Sequence, residues 1–138
     1  MSLAAIRSAL EGALNTITPA IATAWENMPY TPTTGVPFQQ AFLLPAQPDN
    51  IEIGPGYVEQ GILAVNLFYP KGVQGSSYLG AAPATARAAL IRAKFPFGAS
   101  FSSGGVTVNI IATPEIGPAR PEDDRYMVPV RTRWRAHI

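Results

Sequence analysis

The chain has 138 residues, with ten basic and nine acidic side chains, one histidine and no cysteine. The lack of cysteine excludes disulfides, thiolate zinc sites and cysteine nucleophiles, and no apolar stretch reaches the roughly 20 residues of a membrane helix or has the basic-then-apolar layout of a signal peptide. Charged residues make up only 14% against 47% hydrophobic, where about 25% charged is ordinary, so the expectation is a single domain, 1–138, made in the cytoplasm and hiding much of its surface against copies or partners.

Residues 2 to 16 place Leu3, Ile6, Leu10, Ala13, Leu14 and Ile17 three and four apart. That spacing predicts an amphipathic helix with Ser2 as N-cap and Arg7, Ser8 and Glu11 off the stripe. Thr18-Pro19 ends it, because proline lacks the amide and restrains the residue before it. Residues 20 to 26 read as a short strand toward Trp25, followed by a rigid loop through Pro29, Pro32, Gly35 and Pro37, and then a second strand over 38 to 44. After a turn-rich connector, 49 to 56, residues 57 to 69 read as a long strand. Leu63, Val65, Leu67 and Tyr69 take one side of it and Ile62, Ala64, Asn66 and Phe68 the other. Both sides are largely apolar, which predicts a central strand covered twice.

Residues 70 to 77, rich in glycine and serine, read as a mobile assembly loop. A helix follows over 82 to 95, with Pro83 in its first turn, an inward stripe of Ala86, Leu90 and Ala93, and Arg87, Ile91 and Lys94 on another side. Ser102-Ser103-Gly104-Gly105 predicts a hairpin into a strand over 106 to 112. Residues 113 to 124 read as a polar, proline-bearing loop with an acidic run. The last strand has the clearest period of two: Tyr126, Val128, Val130, Thr132, Trp134 and Ala136 on a core face, and Met127, Pro129, Arg131, Arg133, Arg135 and His137 on a basic one. The order α-β-β-β-α-β-β predicts an α+β fold, an antiparallel-rich sheet of about five strands with two helices packed on one side.

Catalytic constellations are incomplete. A serine triad needs an imidazole base, and His137, on a strand near the end of the sequence, reads as a surface or packing residue. Glu122-Asp123-Asp124 lacks the spacing and glycine of a calcium loop, and the glycines of 72 to 77 lack the Gly-Lys-Ser/Thr ending of a phosphate cradle. Neither a metal nor any other cofactor is expected. The net charge of +1 conceals a split, −4 over residues 1–69 and +5 over 70–138, which could pair internally or join copies head to tail. Arg131, Arg133 and Arg135 are the strongest electrostatic feature, read first as an inter-subunit salt-bridge face and second as a nucleic-acid contact. The segment from Trp25 to Tyr30 is either an interface anchor or core.

Together, Trp25-Glu26-Asn27-Met28-Pro29-Tyr30-Thr31-Pro32, the strand from Gln39 into Pro45, Gly61-Ile62-Leu63-Ala64-Val65 running to Tyr69-Pro70-Lys71-Gly72, a helix ending in Phe95-Pro96, and a final strand with Val130 and Trp134 carry a family likeness. The chain resembles the tail terminator, or tail-completion, proteins of long-tailed bacteriophages, including small phage-related domains of unknown function. The resemblance implies a structural virion protein, not an enzyme. It would form a hexameric ring that caps the tail tube, stops its polymerisation and offers the head-joining surface. The implied partners are copies of itself, the major tail tube protein, a head-side connector or stopper protein and, non-specifically, DNA in the channel, with no membrane. The implied location is the tail or neck of the virion after assembly in the host cytoplasm. Interface residues are expected in the 71–77 loop (Lys71, Gln74, Ser76), in the 114–125 loop (Glu122, Asp123, Asp124) and along the arginine strand (Arg131, Arg133, Arg135). Another head–tail connector or neck subunit, and a small enzyme with an unrecognised carboxylate site, are the alternatives.

Overall fold

Two long alternating strands organise the fold. The computed structural model describes residues 2–18, 21–26, 28–31, 36–50, 53–54, 56–70, 82–122 and 125–137. In chain order the elements are α1 (Ser2–Asn15), β1 (Ala22–Trp25), β2 (Phe38–Pro45), β3 (Val58–Pro70), α2 (Ala82–Lys94), β4 (Ser100–Ser103), β5 (Val106–Ile110), β6 (Glu115–Ile116), β7 (Arg120–Glu122) and β8 (Arg125–His137). β3 and β8 pair antiparallel along their full length, from Val58 opposite His137 to Pro70 opposite Arg125. The sheet order is β1-β2-β3-β8-β5-β4, with β6 and β7 also on β8. β1 runs parallel to β2, and the other pairs are antiparallel.

The α+β class is as the element order predicts, but the sheet has eight described strands where about five are expected. The excess comes largely from residues 113 to 124. Instead of a plain loop, this stretch returns along the free edge of β8, pairing Glu115 with Arg131, Ile116 with Val130 and Arg120 with Met127. Prolines at 114, 118 and 121 remove amide donors at intervals, so pairing survives only in fragments of two and three residues. The Gly117 amide continues the contact by donating to the Pro129 carbonyl at 2.8 Å.

One core joins both helices to one face of the sheet. Ile6, Leu10, Leu14 and Ile17 of the α1 region, Leu63, Val65 and Leu67 of β3, and Val128, Val130, Trp134 and Ala136 of β8 are buried together. The stripe expected on α1 is therefore present, except that Leu3 at its start is 38% exposed. On α2 the buried stripe is Ala84, Arg87, Ala88 and Ile91, leading to Phe95, while Ala86, Leu90 and Ala93 face outward. The expected face is rotated because Ile91 and Phe95, four apart, carry the larger apolar payload and set the helix orientation. Burial pulls the Arg87 guanidinium below its usual pKa, with Tyr69 acting in the opposite sense; it remains charged at any physiological pH.

β3 is central, yet it is covered by helices on one face only among the described residues. Ile62, Ala64, Asn66 and Phe68 on its other face are half-buried. β4 and β5 form the expected hairpin, with Ser103 opposite Val106. Gly104 and Gly105 both have positive φ, 57° and 81°, the combination a two-residue type I′ turn demands.

Candidate functional site

Strand alternation places Arg131, Arg133 and Arg135 on the face of β8 that points away from the helices, and all three are exposed. The pairing register sets their neighbours. Arg131 lies beside Ala64, which lies beside Phe42; Arg133 lies beside Ile62, which lies beside Leu44; Arg135 lies beside Gln60. On the far side of β8, Asn109 stands opposite Arg135 and bonds Ser100, while Thr107 bonds Ser102. Across the sheet this open face therefore passes from an apolar zone on β2 and β3, through a row of guanidinium groups, to a zone of amides and hydroxyls. Leu44 in the apolar zone is 51% exposed.

Two hollows flank the arginine row. One, of about 300 Å³, is lined by Leu44, Ile62, Ile111 and Arg133 among others. The second, of about 450 Å³, lies between Asn66, Met127, Pro129 and Arg131 on the sheet and the 117–120 segment. Arg131 faces Glu115 across the β6–β8 pair at 3.8 Å, with both groups more than half exposed. Such a pair contributes little to stability.

The face is closed off at the β2 start by an aromatic column. Phe38 stacks on Phe68 with centroids 4.8 Å apart, Tyr30 tilts against Phe38 at 5.3 Å, and the Arg125 guanidinium lies 4.8 Å from the Phe38 centroid. Arg125 also donates to the Val36 carbonyl at 2.8 Å. This column anchors the incoming loop, so Tyr30 serves packing. Trp25 is half-buried against the core, while Met28 between them is 63% exposed.

The acidic N-terminal half is partly neutralised from within. Arg7 donates to Glu11 at 3.2 Å and to Glu26 at 3.1 Å, and the Leu43 amide donates to the same Glu26 oxygen at 3.0 Å. The Leu43 amide and then Arg7 hold the Glu26 carboxyl below the usual carboxylate range. Partial burial works against the Arg7 charge, but the two carboxylates outweigh it and raise its pKa. These pairs, like Arg131–Glu115, stay within one half of the sequence and do not join the halves to each other.

Lys71, Gln74, Ser76, Asp123 and Asp124 lie outside the described residues, as does the loop expected over 71 to 77; Glu122 ends β7, opposite Arg125. Among the described residues no group of three or more His, Asp or Glu could hold a metal, and no helix is long and apolar enough to cross a membrane. The residues that sequence reasoning missed are Phe42, Leu44 and Ile62. Their proximity to the arginines depends on inter-strand register, which local periodicity does not reveal.

The sequence profile of the phage tail terminator protein family matches residues 5–134. The chain belongs to this family. The match runs from within α1 to Trp134 in β8, which makes this tail terminator family member a structural component of a bacteriophage virion. No curated protein sequence matches it. One solved structure, 28% identical, aligns over 99% of this chain and 96% of its own with a TM-score of 0.77. A second, from the virion of a native gene transfer agent particle, is 16% identical over 99% of this chain and 98% of its own, with a TM-score of 0.67. That likeness shows a shared fold.

Proposed function

We propose that the chain acts as one tail terminator domain whose copies close into a hexameric ring, cap the tail tube, stop its polymerisation and present the surface that the head joins. The observation that carries this reading, beside family membership, is the open sheet face: half-buried Phe42, Ile62 and Ala64 and exposed Leu44 lie in register with three exposed arginines. An isolated monomer gains nothing from leaving such a mixed surface uncovered, whereas an assembly buries it. The Lys71–Ser77 segment and the Pro114–Arg125 stretch, which carries β6 and β7, are assigned to contacts with the tube or the head-side stopper. Assembly takes place in the host cytoplasm, and the ring remains in the neck of the virion.

Light scattering of the purified protein across concentration and salt, with electron micrographs of mixtures with growing tube protein, tests the reading. Rings, and caps that halt tube growth, are the expected result. Rings that leave tube growth unchanged but bind the head side would transfer the assignment to a connector. A monomer that ignores both would overturn it, and a ring that forms only on the tube is covered by the mixed sample.

A further inference from the structure

A groove of about 480 Å³ lies between α1 and the end of β1, lined by Arg7, Glu11, Trp25, Glu26 and Met28. One guanidinium faces two carboxylates there, so the groove is net negative. Arg7 engages Oε2 of Glu11 and Oε1 of Glu26, and the Leu43 amide shares that same Glu26 oxygen. Among the described residues the second oxygen of each carboxylate has no donor. Half-buried Trp25 supplies an aromatic wall and Met28, 63% exposed, a polarisable rim. Carboxylate acceptors beside an aromatic face are the surroundings that suit a guanidinium better than an ammonium or an anion.

The complement is on the same molecule. Arg133 and Arg135 are exposed and, among the described residues, have no carboxylate within 4 Å, unlike Arg131 with Glu115. Leu44 and Ile62 beside Arg133 provide apolar surface to meet Trp25 and Met28. The arginines stand on the sheet face opposite the helices, whereas the groove borders α1. One copy's arginines therefore meet a different patch on the next copy. A contact of that kind is heterologous and propagates until it closes.

We propose that the α1–β1 groove of one copy receives Arg133 and Arg135 of a second copy, making this the subunit contact of the ring; the inference rests on the ring reading above. The absence of cysteine gives a clean test. Met28→Cys and His137→Cys variants, the second at the exposed position next to Arg135 on the same strand face, mixed and oxidised while light scattering monitors ring formation, should give disulfide dimers far in excess of either variant alone. The double variant should give a ladder ending at ring size. Rings without the mixed cross-link would overturn this contact and leave the ring reading standing, whereas no rings and no cross-link, even with tube protein present, would remove both. In a second arm, Arg133→Gln/Arg135→Gln should raise the concentration needed for assembly by about tenfold or more, the expected scale for losing two charge-assisted contacts, with the circular dichroism spectrum unchanged. Unaltered assembly combined with lost retention of a short DNA duplex would assign the arginines to nucleic acid and overturn the proposal.

Discussion

Gly61 shows how closely single residues are constrained. A Cβ there would meet the Trp134 ring at 2.8 Å, the Pro45 Cα at 2.9 Å and the Leu44 carbonyl oxygen, two of which are backbone atoms that cannot swing away. Gly61→Ala should therefore cost about 1–3 kcal/mol as an overpacked site, read as a lower urea midpoint with unchanged slope. Gly12, exposed on α1 with nothing within 4 Å of a Cβ, is the opposite case. Gly12→Ala should stabilise by about 0.5–1 kcal/mol, because alanine suits a helix interior better. Glu26 adds a pH dependence. Its folded pKa is lowered, first by the Leu43 amide and then by Arg7, so its contribution is present above the ordinary glutamate range and is lost as pH falls through the lowered value. The carboxylate is 36% exposed, which limits the effect to within about 1 kcal/mol. Urea midpoints of wild type and Glu26→Gln should differ near neutrality and converge below about pH 5, where this loss begins. At this scale the sequence is only partly legible: Arg7 and Glu11 are visibly four apart, but Glu26 joins them through folding that no local spacing records.

Among the elements, α2 decides most sharply between expectation and structure. Ile91→Ala should destabilise by about 2–5 kcal/mol, while Leu90→Ala, at a side chain 37% exposed, should cost well under half as much; paired denaturation curves of the two variants check the orientation of the helix. Its face was hard to read because alanines occur all round it and the buried stripe includes Arg87, a residue that ordinarily marks the solvent side. By contrast α1, β2, β3 and β8 follow from apolar periodicity, and Gly104-Gly105 announces its own turn. β6 and β7 leave no such signal, since fragments of two and three residues between prolines have no period; they exist because β8 offers them an edge. The apolar outer face of β3 is ambiguous for a related reason. Apolar alternation on both sides of a strand signals that both sides are to be covered, and does not say whether by the same chain or by a neighbour.

For the whole molecule, the ion pairs Arg7–Glu11, Arg7–Glu26 and Arg131–Glu115 each stay within one half of the sequence. Replacing Arg131, Arg133 and Arg135 together by Gln should leave the fold intact and weaken assembly. It should also flatten the dependence of assembly on salt, measured as native mass between low and moderate ionic strength; unchanged mass and salt response would remove this face from the interface. The row itself was legible as a period of two, whereas the apolar zone that completes the surface required the sheet to be assembled. The sheet also imposes an order of events on synthesis. β3 emerges from the ribosome long before β8, with α2 and four short strands between them, yet β8 is its partner along the full length. Until then the nascent chain carries a long unsatisfied strand edge, and Trp134 has not reached the core. The core and the open face that β3 shares with the arginine row are therefore both completed by the last strand to be made, in a single step of pairing.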